Sequence, residues 1–334
     1  MVSIPRTISV PGRICVAGES LDWMTGGTSL VASIPLRTFV TVTPRVDNQE
    51  ILSIVCLEPF HQSRDIPLKN LSKPIGDQLD YAQLSAHMIS KKTGYSAAVI
   101  LTIQSAIPMN AGVSSSAAVT VAVIAALNAY WNTSLTSEEI CDLAFQVEDK
   151  HLVTGAGQMD FYACGLGGLL ALDCSTVPPK VTHYSIFPND VRVVLVDTGA
   201  PHSTKKFLSS KRQRFLRGDP LIQTYIKEAT EHVEHMRKLL TTQKINCIEL
   251  GTLITACHLL LRDCLDSSTP LLETCVTRCI SEGAYGAKLT GSGMGGCMFA
   301  LAPKKYVAAI KDSLVRLPVR VYDFPMSDDG IRIE

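Results

Sequence analysis

The chain has 334 residues, 46% of them apolar and 19% charged, and its 31 basic side chains balance its 31 acidic ones. At roughly 150 residues per domain this length predicts two domains with substantial cores. Zero formal net charge argues against a nucleic-acid clamp or a polybasic membrane binder, and the apolar content argues against disorder. The eleven cysteines are odd in number and scattered. With only Cys275 and Cys279 close together, they suit reduced thiols in a cytoplasmic protein better than a disulfide framework or a zinc site.

In chain order, the opening thirteen residues lack the apolar centre of a signal peptide. Strands are predicted at Thr7–Val10, Ile14–Ala17, Thr38–Val46 and Ala97–Ile103. The apolar stretch Ala117–Leu127 is too short to span a bilayer and suits a buried helix, so no membrane partner is expected. Thr136 and Glu139 form a capping box ahead of Ile140, Leu143, Ala144 and Val147 at helical spacing. Gly165–Leu172 and Val191–Asp197 read as strands, and Pro220–Leu240 and Asn246–Leu265 as amphipathic helices. Helix, glycine-rich turn, strand, helix and strand follow. Pro178 and Pro179 mark a boundary, giving domains 1–185 and 186–334.

Four segments carry chemistry. Pro108–Ala118 joins a strand to the apolar helix, whose first turn has unpaired N–H groups and partial positive charge. Small residues there admit a polyphosphate, and serine hydroxyls can cap the helix or ligate Mg²⁺. There is no Gly-Lys-Ser/Thr, so this is not a Walker-type loop. The alternative is a plain serine cap on a core helix. Lys288–Cys297 holds four glycines in six residues, so its backbone needs positive φ angles or close approach to something. It is either a hairpin turn or the second wall of a nucleotide site.

In Gly12–Trp23, Arg13, Glu19 and Asp22 stand among small and apolar residues and must pair or face a cleft. Glu148 and Asp160 lie twelve residues apart. One could hold Mg²⁺ while the other faces an attacking hydroxyl. Taken alone, Glu148 reads as a solvated helix end, whereas Asp160, between Met159 and Phe161, reads as buried and in need of a partner.

Together these segments resemble the GHMP superfamily of small-molecule kinases, and within it the galactokinase branch. P-G-R-x-N-L-I-G-E-H-T-D-Y is matched by Pro11–Trp23, and G-L-S-S-S-A-S by Gly112–Ala118. A-E-H…C-G-I-M-D is matched by Val147, Glu148 and Ala156–Asp160, and G-A-K-M-T-G-G-G-F-G-G-C by Gly286–Cys297. Asp197–Ser203 resembles the strand end N-S-N-V-R-H-S. The resemblance implies an α+β, two-domain GHMP kinase fold, with a ribosomal-S5-domain-2-like N-terminal domain and a ferredoxin-like C-terminal one. It implies ATP and Mg²⁺ as cofactors and phosphorylation of a sugar or sugar-acid hydroxyl, the anomeric one in galactokinases.

Carried over by position, Asp160 would be the base and Arg13 its partner. Pro108, Asn110, Ala111, Gly112, Val113, Ser114, Ser115, Ser116, Ala117, Gly291, Ser292 and Gly293 would hold the nucleotide. Ser116 and Glu148 would hold the metal, and Glu19, Ser20, Asp22 and Gly157 the acceptor. Three departures fall on the acceptor side. Ser20 stands where the family has His, the Tyr after the His-Ser strand end is missing with Phe207 nearby, and two residues are added around Gly26–Ser29. The alternatives are a mevalonate-type or other non-sugar kinase, and a non-catalytic sugar or ATP sensor. No motif marks the adenine pocket, for which Tyr81 is one candidate. The partner is a small sugar-like molecule rather than nucleic acid, and the chain is a monomer or homodimer.

Overall fold

The computed structural model describes residues 6–185, 187–200 and 204–334, and the side chains within them except at 204–206. The first sheet has eight strands: β1 (Arg6–Ala17), β2 (Thr28–Pro44), β3 (Ile51–Glu58), β4 (Gln62–Pro67), β5 (Val99–Ser105), β6 (Leu169–Asp173), β7 (Lys180–Tyr184) and, from the chain's end, a two-residue strand, Arg332–Ile333. The terminal strand, β1, β2, β5, β3 and β4 lie in that order, and β6 with β7 extends from β2. All pairs are antiparallel except β3 with β5. β2 is long enough to serve two neighbours, pairing with β6 over its first residues and with β5 over its last.

The short helix α1 (Leu21–Thr25) follows β1, and α2 (Asp80–Thr93) precedes β5. Helix α3 (Ser115–Trp131) packs against β1, β2 and α2. Its residues 117–127 are buried except Val119. A helix apolar on every side needs cover on every side, and its many alanines let its neighbours close in. α4 (Ser137–Gln146) opens with the expected capping box and runs into a π-helical turn, Val147–Leu152. α5 (Met159–Leu166) follows, so the strand expected from Gly165 begins only at Leu169.

The second sheet has four strands: β8 (Val191–Asp197), β9 (Gly286–Leu289), β10 (Cys297–Pro303) and β11 (Arg320–Phe324), ordered β11-β8-β10-β9. Its helices are α6 (Thr204–Leu216), α7 (Pro220–Leu240), α8 (Cys247–Asp263), α9 (Pro270–Ser281) and α10 (Val307–Leu314). The terminal strand, β12 in chain order, recrosses to β1. Arg37 secures that return, donating to the carbonyls of Ser9 and Gly330 at 2.9 and 2.6 Å. The last residues, assigned to the second domain on sequence, thus complete the first sheet. Among the described residues no helix is long and apolar enough to cross a membrane.

Candidate active site

A cavity of about 590 Å³ lies where β1, the β5–α3 loop, α5 and the β9–β10 turn meet. The backbone itself ties these segments. Arg13 N–H donates to the Val113 carbonyl at 3.2 Å, and Cys297 N–H to the Ala111 carbonyl at 2.7 Å. Cys15 N–H donates to Thr290 Oγ1 at 2.9 Å. Gly112 has φ +74°, and a Cβ there would sit 2.3 Å from the Thr290 carbonyl oxygen. Only glycine meets both demands, which explains the glycine between the loop and the facing turn.

Arg13 is 3% exposed and Asp160 25%. The Arg13 Nε and Nη2 donate to Asp160 Oδ1 at 2.8 and 2.5 Å, and Nη1 donates to the Gly112 carbonyl at 2.5 Å. Burial works against the Arg13 cation, but the charge and hydrogen bonds of Asp160 together with neighbouring groups outweigh it, and the result is a raised pKa. Both bonds use Oδ1, leaving Oδ2 outside the pair. Asp160 sits in the first turn of α5 rather than on the glycine-rich turn before it.

Asp22 lines the same end. Its Oδ2 accepts the Met159 N–H at 3.3 Å and would lie 1.8 Å from a Cβ on Gly157, so that glycine is what lets the carboxylate approach. Burial, reinforced by the Asp160 charge, pushes Asp22 up to about 6.

Glu148 is not a solvated helix end. The π-helical turn rotates it inward to 3% exposure. Thr154 Oγ1 donates to its Oε2 at 3.1 Å, and the Ser116 hydroxyl lies beside it. Burial pushes its pKa up to about 7, with those hydroxyls opposing. Its Oε1 and the Ser114 hydroxyl are buried without a partner among the described residues. Ser114 is the residue before α3, at φ +62°, and makes no side-chain cap bond. Two orphaned oxygen ligands close to a phosphate-sized loop fit Mg²⁺, which takes one or two carboxylates and completes its shell with water and phosphate.

Glu19 lines the cavity but is only half available. Lys288 spends its three protons on the Glu19 carboxylate, the Cys15 carbonyl at 2.9 Å and the Leu289 carbonyl at 2.8 Å. Glu19 Oε2 has no hydrogen-bond partner among the described residues. Of the expected nucleotide residues, Asn110, Ala111, Gly112, Ser114, Ser115, Ser116, Gly291 and Ser292 line the cavity. Pro108, Val113, Ala117 and Gly293 do not, and Val113 and Ala117 turn into the core. Ser20 and Gly157 line its other end. The strand end expected at Asp197–Ser203 falls partly on 201–203, outside the described residues. Phe207 is off the cavity wall, which Leu208 supplies instead.

Sequence reasoning missed the far wall, where Phe60, Gly76, Asp77 and Gln78 join Tyr81. Asp80 shapes it, accepting the N–H groups of Ile75 and Gly76 and pairing with Arg64 at 2.7 Å. A buried carboxylate at the start of a helix was the available signal. Lys211 and Lys288 carry no such mark.

Models of the GHMP kinases N terminal domain and the GHMP kinases C terminal domain match residues 80–168 and 236–318. A mevalonate kinase of Thermococcus sibiricus is 30% identical over 338 residues, covering 98% of this chain and 97% of that one. A galactokinase of Pyrococcus furiosus is 27% identical, covering 93% and 92%. The solved structure of Lactococcus lactis galactokinase complexed with galactose superposes with TM-score 0.83 at 22% identity, covering 99% and 95%. That of Methanococcus jannaschii mevalonate kinase gives 0.79 at 21%, covering 96% and 98%. The two-sheet architecture is thus the two-domain GHMP kinase fold. The chain belongs to the GHMP kinase family and is an ATP-dependent small-molecule kinase.

Proposed function

We propose that this kinase phosphorylates a hydroxyl of a sugar or sugar acid, with Asp160 as base. The observation that carries this is the cavity wall itself, which Asp160, Asp22 and Glu19 all line, with Asp22 close enough to Asp160 to feel its charge. Three carboxylates lining one cavity suit an acceptor that offers several hydroxyl protons. A mevalonate-type acceptor is the second reading, supported by the 30% identical relative.

In the mechanism, the nucleotide's phosphates lie over Gly112–Ser116 with the glycine turn opposite, and its base lies toward Phe60 and Tyr81. Glu148, with the Ser116 hydroxyl beside it, would hold Mg²⁺, which would neutralise charge on the phosphates. The acceptor hydroxyl meets Asp160 Oδ2, since Oδ1 is taken by Arg13. As its oxygen bonds to the γ-phosphorus, its proton passes to Asp160 and ADP leaves. Arg13 fixes the carboxylate's orientation and adds positive charge at the transfer point. The loose transition state asks the protein mainly for positioning and electrostatics.

A coupled ADP-release screen over monosaccharides, uronic acids, mevalonate and homoserine tests the reading, with the product's position read by phosphorus NMR. Turnover with a monosaccharide or uronic acid is expected. Turnover with mevalonate and none with any sugar would overturn it in favour of the second reading.

A further inference from the structure

Helix α6 carries a lysine that the mechanism above does not use. Lys211 is 1% exposed. Its Nζ donates to the Ser292 carbonyl at 2.9 Å and lies 4.7 Å from the centre of the Phe207 ring. The neighbouring buried cations are compensated, Arg13 by Asp160 and Lys288 by Glu19. Lys211 has no carboxylate within ion-pair distance among the described residues. A buried ammonium held by a neutral carbonyl and a ring face costs folding free energy. Burial pushes its pKa down to about 7, with Glu19 opposing and Arg214 adding to the fall. Its charge is stabilised once an anion arrives nearby.

The acceptor of its hydrogen bond shows where that anion belongs. Ser292 and Gly291, in the glycine-rich turn, line the cavity, as does Leu208 one helical turn before Lys211. The Ser292–Gly293 peptide is trans, so its N–H points opposite to its carbonyl. That N–H belongs to Gly293, which is off the cavity wall, so what Lys211 holds in place is the Ser292 carbonyl and with it the turn whose Gly291 and Ser292 face the cavity.

We propose that Lys211 is a positioning residue for the nucleotide: by holding the Ser292 carbonyl it fixes the glycine-rich turn whose Gly291 and Ser292 wall the cavity, and it adds positive potential behind that wall for the phosphates of Mg·ATP. This rests on the ATP-dependent activity and extends it to a residue outside the motifs. A side chain kept at the expense of stability leaves a distinctive signature when it is replaced.

The test is calorimetric binding of Mg·ADP, with thermal unfolding of the unliganded protein measured in parallel. Lys211→Met fills the space without the charge. Its Kd should rise about tenfold, the scale of one charge-assisted hydrogen bond, while the melting temperature holds or increases. Lys211→Gln keeps a donor for Ser292 and should weaken binding about threefold. Parental affinity in Lys211→Met overturns the proposal. So does a fall in melting temperature that tracks the affinity loss in both variants, since that marks a packing role. Should Lys211→Met fail to fold, Lys211→Gln decides alone: weaker binding at parental melting temperature supports the proposal, and parental binding overturns it. A parental protein that does not bind Mg·ADP is a different failure, that of the nucleotide reading itself.

Discussion

Replacing Glu148 by Gln should raise stability and remove metal-dependent nucleotide binding together, and the structure fixes the pH at which each appears. The carboxyl rises from 4.5 to about 7 on folding, because burial outweighs the hydroxyls of Ser116 and Thr154. The folded state therefore holds this proton more tightly than the unfolded chain. Its contribution is fully present below pH 4.5 and is lost as pH rises to about 7, beyond which the protein bears a penalty of about 3 kcal/mol. Glu148→Gln cannot ionise and escapes that penalty. At pH 8 it should exceed the parental stability by about 3 kcal/mol, with the difference shrinking toward pH 5. Asp22 titrates in the same direction in both proteins, so it drops out of the comparison. Urea unfolding followed by tryptophan fluorescence is the assay, since Trp23 follows β1 and Trp131 ends α3, both in the part of the chain that carries Glu148. A stability difference that stays constant from pH 5 to 8 would refute the argument. Mg·ADP affinity runs the other way: the parental protein should bind more tightly as pH rises through about 7, because the metal takes the ionised carboxylate, and the variant should show no such rise.

Asp160→Asn should lower turnover by roughly 10²–10⁴ in the ADP-release assay while calorimetry shows near-parental Mg·ADP binding, as for a lost acid–base group. Gly112→Ala forces a side chain into a positive-φ position 2.3 Å from the Thr290 carbonyl. It should cost about 1–3 kcal/mol in thermal unfolding and weaken Mg·ADP binding as the two turns move apart. Lys288→Met leaves the Glu19 carboxylate buried without its cation. A loss of about 3–5 kcal/mol is expected, mostly recovered in unfolding experiments by the double variant Glu19→Gln/Lys288→Met.

Elements with a single strong pattern were legible in the sequence. Val191–Asp197 and Pro220–Leu240 have the bounds that their apolar spacing gives, and the Thr136 capping box starts α4. Long-range pairing was legible only through the resemblance. Nothing local joins Arg13 to Asp160 across 147 positions, yet the motif order placed them together. The failures share a cause. The burial of Glu148 depends on a π-helical turn, a change of register that no spacing reports. Glu19 was expected to pair or face a cleft, and which partner it takes could not be read locally, because Lys288 lies 269 residues away in a segment read for its glycines. Lys211 lies outside every motif, and only the tertiary fold shows it turned inward.

These errors concern charges whose compensation is non-local, and that points to how the cleft is balanced. Arg13 and Lys288 are each matched by a carboxylate within the protein. Among the described residues Asp22, Glu148 and Lys211 have no ion-pair partner, and burial holds each of their pKa values near neutrality. Groups whose charged forms burial disfavours are those that gain most when substrates arrive. A metal ion favours the Glu148 carboxylate, a phosphate the Lys211 ammonium, and an acceptor hydroxyl the ionised Asp22. The fold therefore keeps its internal pairs for shape and leaves its uncompensated charges for ligands. Occupancy should stabilise the protein more than the contacts alone suggest, because each ligand also relieves a strained ionisation.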